Sequence, residues 1–242
     1  MPQNRKMPLF SAQSLKFLRD LKKHNDREWF QPRKPLYDQL VKAPMLELIE
    51  TVNRELVQVA PAFVTEPKKA MFRIYRDTRF AHDKTPYKTN TSAVFWQEGV
   101  DRKGGAVLYI SLSADEIIVA GGSYMPTPPE MLALRQHLAE HHARFTKLLS
   151  SKPLQACFGE LQGQSLQRAP KGFSPSHEAV EFLKRKQWLL RTSLDPRLAI
   201  TDAFVSDVIK RMRLLLPFVN FMNEPLVKRA ARVRDPLLAT RM

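Results

Sequence analysis

The sequence of 242 residues is poor in cysteine and glycine, and it contains no long uninterrupted apolar run. Cys157 is the single cysteine, so no disulfide can form within the chain, which excludes a disulfide-stabilised secreted scaffold. The 8 glycines and 18 prolines follow no period, which excludes collagen-like and low-complexity chains. The longest apolar stretch, 214–222, contains Pro217 and Asn220 and is far shorter than the roughly 20 residues of a membrane helix.

The first ten residues, MPQNRKMPLF, lack the apolar segment that is typical of a signal peptide. Together with the single cysteine, this leads us to expect a cytoplasmic protein with no membrane partner. A chain of this length folds as one large domain or two small ones, and it can bury a core without disulfides or metals.

Sequence motifs that bind nucleotide phosphates or supply a catalytic nucleophile are also missing. Gly104-Gly105 and Gly121-Gly122 are typical of turns and lack the spacing of a phosphate-binding loop, and no G-x-S-x-G elbow is present. His137 and His141 match the H-x-x-E-H pattern of inverted zinc proteases, but a five-residue pattern on a histidine-rich helix surface is weak support for a metal. We expect neither a metal nor a cofactor, and metal binding by these two histidines stays open.

The chain has an excess of positive charge. Its 39 Lys and Arg residues outnumber 24 Asp and Glu residues, for a formal net charge of +15, of which +6 lies in residues 1–121 and +9 in residues 122–242. The densest segment is 68–88, where seven basic and two acidic residues give +5. Such a field attracts nucleic acid, nucleotides or phosphorylated small molecules. The shorter clusters at 184–186 and 210–213 are typical of solvated helix faces.

Hydrophobic periodicity predicts an α+β fold. Helical spacing predicts helices over the ranges 12–24, 34–59 (broken at Pro44), 129–149 and 202–216. Period-two spacing predicts strands over the ranges 71–77, 92–98, 106–113, 116–120 and 187–194. Short turns join the consecutive central strands, so we predict an antiparallel sheet meander flanked by N- and C-terminal helices.

Residues 73–88, with the sequence RIYRDTRFAHDKTPYK, are the chemically densest segment. Asp77 and Asp83 can pair with arginine forks, but two carboxylates cannot neutralise the seven cations of 68–88, so a positive surface remains. Arginine forks and tyrosine hydroxyls fit phosphate or carboxylate oxygens. We predict a basic strand-loop motif that recognises an anion. A structural ion-pair network that ties the loop to the sheet is the alternative.

This motif resembles the signature of a widespread family of uncharacterised microbial proteins, a conserved domain of unknown function. Further matching segments are 22–30, 109–113, Gly121-Gly122, Pro126, 166–173 and 216–218. The resemblance implies a single domain over residues 8–225 and implies no activity. Residues 226–242 then form a basic C-terminal tail with a net charge of +4.

Two other turns carry basic residues that we expect to converge on the motif, one after the first helix and one at 168–171. The candidate ligand-binding residues are Arg27, Arg73, Tyr75, Arg76, Arg79, Lys84, Tyr87, Lys88, Arg168 and Lys171. Asp77 and Asp83 are the candidate catalytic residues, although neighbouring arginines should lower their pKa values, which suits salt bridging better than proton donation.

The leading hypothesis for function is recognition of a phosphate-bearing ligand, either a nucleic acid, a nucleotide or a phosphorylated metabolite. One alternative is an enzyme that acts on a phosphorylated or carboxylated small molecule, with Asp77 or Asp83 as base or Mg²⁺ ligand. A third hypothesis treats the motif as structural and assigns partner binding to the basic tail. The sequence leaves the oligomeric state open.

Overall fold

The structure is a computed structural model that describes residues 8–234, with side chains described as far as residue 227. Helix α1 (Ala12–Lys23) begins with a capping box, in which the Ser11 hydroxyl accepts from the Ser14 N–H at 3.3 Å and the Ser14 hydroxyl accepts from the Ser11 N–H at 3.0 Å. Leu18 and Leu21 on its apolar stripe are fully buried. The predicted first helix is confirmed.

The second helical stretch begins earlier than predicted and is divided into short pieces. These are α2 (Arg27–Phe30), a 3₁₀ turn (Gln31–Arg33), α3 (Lys34–Tyr37), a π turn (Asp38–Lys42) and α4 (Ala43–Val59). The π turn comes directly before Pro44, whose missing N–H cannot donate to the carbonyl one turn earlier. A 3₁₀ turn (Pro61–Phe63) and helix α5 (Pro67–Ala70) then lead to the sheet.

Four strands form one antiparallel sheet in the order β1-β2-β3-β4. They are β1 (Asn90–Trp96), β2 (Ala106–Ser113), β3 (Ile117–Ser123) and β4 (Trp188–Leu194). In the register, Ile110 lies opposite both Ala93 and Val119, and all three are fully buried. The predicted α+β fold with an antiparallel meander is confirmed.

The remaining helices surround one end and one face of the sheet. They are α6 (Pro128–Glu140), α7 (His142–Leu149), α8 (Lys152–Phe158) and α9 (Val180–Leu183), followed by a 3₁₀ turn (Pro196–Ile200) and α10 (Ala203–Arg234). Within residues 8–234, no helix is long and apolar enough to cross a membrane.

Helix α10 packs closely on the middle of the sheet. A β-carbon at Gly121 would lie only 3.0 Å from Val219 Cγ2, so glycine there permits the close approach. The helix continues through Pro217 and Pro225, well beyond the predicted end at residue 216. The domain boundary predicted at residue 225 therefore falls inside this helix, and residues 235–242 of the predicted tail lie outside the described residues.

The two faces of the sheet differ in their surroundings. One face is built from fully buried side chains such as Phe95, Leu108 and Val119, which join the hydrophobic core beneath the helices. The opposite face, which we name the open face, carries Val94, Trp96, Val107, Tyr109, Ile118, Ala120 and Leu189. None of these joins the main core cluster of the described residues, and all but Val94 are partly exposed. Val94, Ser92 and Ser111 on the same face are each only 3% exposed, so the open face is partly exposed at its larger side chains and buried beneath them.

The strand predicted over 71–77 is wrong. This segment makes only two isolated bridges, from Met71 to Ala93 and from Tyr75 to Tyr87. After the Phe72 N–H donates to the Ser92 carbonyl at 2.9 Å, the segment turns away from β1. It turns because its next backbone groups pair with the returning residues 86–88 instead of with the sheet.

Candidate functional site

The central motif forms a closed loop over residues 74–88. The Arg76 N–H donates to the Pro86 carbonyl at 2.9 Å, and the Lys88 N–H donates to the Ile74 carbonyl at 2.8 Å. With the Tyr75–Tyr87 bridge between them, these bonds make a short hairpin-like stem. The loop beyond the stem is exposed, and the Phe80 side chain at its tip is 95% exposed.

Both carboxylates of the loop are engaged by arginines of the same loop. Arg79 binds Asp77 with two bonds, Nε to Oδ1 at 3.0 Å and Nη2 to Oδ2 at 2.8 Å. Arg76 Nη1 donates to Asp83 Oδ2 at 2.5 Å and also contacts the Thr85 hydroxyl. Asp83 accepts in addition from the Thr85 N–H at 2.9 Å. This part of the motif is therefore an ion-pair network within the loop.

These contacts hold both carboxylates in the ionised form. The hydrogen bond from the Arg79 side chain lowers the pKa of Asp77 to about 2. The Thr85 N–H and then the Arg76 side chain lower the pKa of Asp83 to about 2. A carboxylate with so low a pKa is a weak base and is not protonated near neutral pH. The geometry therefore gives Asp77 and Asp83 the salt-bridging role.

The turn after α1 packs against the stem of the loop, as predicted. The Asn25 side chain binds both backbone groups of Tyr87, and the Phe30 ring stacks on the Tyr87 ring with centroids 4.1 Å apart. Tyr87 is only 1% exposed, so its ring packs in the core and is not available to a ligand, contrary to our prediction. Arg27 begins α2 in this turn and is exposed.

The turn at 168–171 lies toward the other edge of the sheet. Gln162 bridges to Leu189 on β4, and the Leu166 N–H donates to the Lys184 carbonyl at 2.8 Å. The loop at 74–88 instead follows a segment that flanks β1, the opposite edge strand. The structure thus brings the turn after α1 to the loop, whereas residues 162–166 lie along β4, and the convergence of Arg168 and Lys171 on the loop stays a prediction.

Two cations, Lys88 and Arg102, lie on one ring beside β1, and the charge of Arg73 acts on Lys88, so we name Arg73, Lys88 and Arg102 the cation cluster. Lys88 Nζ lies 4.9 Å from the centroid of the Phe72 ring, and Arg102 Cζ lies 4.6 Å from the same centroid. Arg102 Cζ is also 5.3 Å from the Trp96 ring on the open face. The aromatic rings thus hold two of the cations at the border of that face.

Repulsion and burial act on the charge of Lys88. Burial makes the largest contribution to lowering the pKa of Lys88, and the positive charges of Arg73 and Arg102 lower it further. Burial also lowers the pKa of Arg102, whose Nη1 donates to the Lys69 carbonyl at 3.0 Å. Among the residues whose side chains are described, none of the three cations forms an ion pair. The charge of Arg73 also helps to lower the pKa of Asp77, so this carboxylate balances part of the Arg73 charge, whereas Lys88 and Arg102 form no ion pair with a described side chain.

Sequence reasoning missed Arg102 and Phe72. Arg102 belongs to the turn between β1 and β2, where the sequence pattern indicates only a short turn. Phe72 alternates with the core residue Met71, so its ring faces the side of the sheet that carries Tyr109, with centroids 6.2 Å apart. The pairing of β1 with β2 would have indicated both residues. The turn between these strands folds back beside β1, so Arg102 lies next to the segment that contains Phe72.

The histidines of the H-x-x-E-H pattern lie on α6 and at its C-terminal end. The His137 ring is buried against the rings of His141 and Phe221, with centroids 4.6 Å and 4.5 Å away. Across the described part of the chain, no group of three or more His, Cys, Asp or Glu side chains is placed to hold a metal ion. Burial raises the pKa of the Cys157 thiol, as expected for an unreactive cysteine.

Comparison with known proteins gives a family and no activity. A family model described as a conserved hypothetical protein (DUF2461) matches residues 13–221. This confirms the resemblance to a family of uncharacterised proteins. No curated protein and no solved structure matches the chain.

Proposed function

The chain belongs to the family of conserved hypothetical proteins (DUF2461), and we propose that it binds a phosphate-bearing anion through the cation cluster of Arg73, Lys88 and Arg102. The observation that carries this proposal is that Lys88 and Arg102 lie on the same Phe72 ring, 4.9 Å and 4.6 Å from its centroid, without an ion pair to a described side chain. Burial, and after it the charges of Arg73 and Arg102, lowers the pKa of Lys88. The mutual repulsion of these cations costs stability, and Asp77 offsets part of it at Arg73 only. An anion bound among them removes that cost.

The same observation separates the binding residues from the structural ones. Arg76 and Arg79 already have their charges balanced by Asp83 and Asp77, so an incoming anion gains less from them. Lys84 is tied by its Nζ to the Thr78 carbonyl at 3.0 Å, which shapes the loop. The proposed site therefore keeps Arg73 and Lys88 from the predicted set and adds Arg102.

The donors of the cluster suit phosphate. Two planar guanidinium forks and one ammonium group offer several N–H donors, and a phosphate group accepts them through oxygens that point in different directions. Nucleic acid, nucleotides and phosphorylated metabolites share this group. Charge-assisted hydrogen bonds to phosphate are stronger than hydrogen bonds between neutral groups, because the opposite charges of donor and acceptor also attract each other.

Isothermal titration calorimetry with inorganic pyrophosphate at low ionic strength tests the proposal. Arg102→Gln and Lys88→Gln should each lower the affinity by about 10-fold or more, the loss expected for one charge-assisted bond. Lys147→Gln on α7 is the matched control, because Lys147 is exposed and lies on a helix away from the cluster. Equal affinities for all four proteins contradict the proposal.

A further inference from the structure

We infer that the open face of the sheet, together with the cation cluster, binds single-stranded nucleic acid. This inference rests on the proposed function, because it assigns the bound phosphates to a polynucleotide. It adds a second contact, in which bases stack on aromatic rings of the sheet while the cations hold the backbone.

The architecture leaves the larger side chains of the required face partly exposed. Helix α10 packs on the core face, where Gly121 lies against Val219 and Leu215, and the side chains of the open face are not part of that core. A four-stranded antiparallel sheet with helices on one side and aromatic side chains on the other is a known platform for single-stranded bases. This chain has a four-stranded antiparallel sheet, a helix on its core face and the rings of Trp96 and Tyr109 on its open face.

The rings lie where bases can reach them. Tyr109 stands at the middle of β2, paired with Val94 on one side and Ala120 on the other, and it is partly exposed. The small side chain of Ala120 leaves room beside the Tyr109 ring toward β3. Trp96 and Phe72 continue the aromatic surface from Tyr109 toward β1 and the cation cluster. A base stacked on Tyr109 would therefore lie about two strand spacings from the side chains of the cation cluster.

The extent of the surface favours a polynucleotide over a single phosphate. Neighbouring strands lie about 4.8 Å apart, so a ligand that touches both Tyr109 and the cation cluster spans roughly 10 Å. A free phosphate occupies the cluster alone, whereas a nucleotide chain reaches the ring as well. Single strands fit better than a duplex, because the bases of a duplex are already stacked on each other and cannot lie on protein rings.

Fluorescence anisotropy with a labelled oligouridylate of about 12 nucleotides tests the inference, because single-strand sites of this kind cover about 4–16 nucleotides. Tyr109→Leu keeps an apolar side chain on the strand but removes the π-face, and it should weaken binding by about 10-fold, as loss of one stacked base does. Tyr109→Phe should bind like the parent protein. Tyr124→Ala, which removes an exposed tyrosine beyond the end of β3, is the matched control and should also bind normally.

The two proposals fail in different ways. If Tyr109→Leu is folded by circular dichroism and binds the oligouridylate as tightly as the parent, the platform is wrong and phosphate binding by the cluster stands. If a duplex of the same length displaces the single strand at equal concentration, the platform is wrong as well. If the parent protein binds neither pyrophosphate nor oligouridylate at low salt, both proposals fail. Normal pyrophosphate binding by Tyr109→Leu with weakened oligouridylate binding supports both.

Discussion

Asn25 holds Tyr87 by both ends of its side-chain amide, across 62 residues of sequence. Its Nδ2 donates to the Tyr87 carbonyl at 2.9 Å, and its Oδ1 accepts from the Tyr87 N–H at 3.0 Å. The side chain thereby imitates a neighbouring strand and fixes the stem of the 74–88 loop to the turn after α1. Lys88 follows Tyr87 directly, so this contact also positions one member of the cation cluster.

Removal of this amide should loosen the loop as well as the fold. In Asn25→Ala, the Tyr87 N–H and carbonyl lose their partner, which should cost about 1–3 kcal/mol of the free energy of unfolding. The affinity for pyrophosphate should fall too, because Lys88 is no longer held in place. Urea denaturation and calorimetry measure the two effects.

Asn53→Ala is the matched control for that change. Asn53 binds the Thr65 backbone in the same two-ended manner, with Nδ2 to the carbonyl at 2.6 Å and the N–H to Oδ1 at 3.1 Å, but it lies on α4. Its loss should destabilise the protein to a similar extent and leave pyrophosphate affinity unchanged. Equal loss of affinity in both variants would mean that Asn25 acts only through general stability.

A third asparagine fastens α10 to the sheet. Asn223 is fully buried, and its amide accepts from the Ala106 N–H at 2.8 Å and donates to the Ala106 carbonyl at 2.9 Å. Asn223→Ala should lower the free energy of unfolding by about 2–4 kcal/mol, because two buried backbone groups lose their partner. Asn220→Ala, an exposed change on the same helix, should stay within about 0.5 kcal/mol of the parent in the same urea titration.

The ion pairs of the loop should persist in acid. The pKa values of Asp77 and Asp83 are lowered to about 2 in the folded state, so their stabilising contribution is complete above the ordinary aspartate pKa. As the pH falls from about 4 toward 2, the carboxylates protonate and this contribution is lost. NMR titration of the carboxyl carbons should give both midpoints near 2. Midpoints near 4 would show that the arginine contacts do not form in solution.

Asp77→Asn separates a structural carboxylate from a functional one. The change frees Arg79 from its partner and makes the loop more positive, so pyrophosphate affinity at low salt should stay equal or rise. When Asp83→Asn is titrated with pyrophosphate in the same way, its affinity should likewise stay equal or rise. A clear loss of affinity in either variant would show that the carboxylate takes part in binding, through a bound cation or an ordered loop.

The sequence predicted the sheet well because period-two spacing in 106–113 is strict and its turns are short. The predicted β2 matches the structure residue for residue. The segment 71–77 alternates in the same way but is not a strand, because after Phe72 its backbone pairs with residues 86–88 instead of with β1. Alternation indicates an extended chain with two unlike sides, and the partner of its hydrogen bonds depends on tertiary contacts.

Only part of the candidate site could be predicted from the sequence, because here too the remaining contacts are tertiary. Charge counting located Arg73 and Lys88 within 68–88, and the ion pairs of Asp77 and Asp83 follow from their arginine neighbours. Arg102 was missed because it is distant from the motif in sequence and joins it only through the β1–β2 turn. Net charge within a segment does not show which cations already have a carboxylate partner.

If an anion binds among Arg73, Lys88 and Arg102, the pKa of Lys88 must respond to it. NMR titration of the Lys88 side chain, labelled at its terminal carbon, measures this pKa with and without saturating pyrophosphate. Without the anion, the pKa should lie below the ordinary lysine value, because burial and the two arginines disfavour the charge. With pyrophosphate it should rise, since a bound anion favours the charged form. A Lys88 pKa that pyrophosphate leaves unchanged, while other lysines respond, contradicts the account.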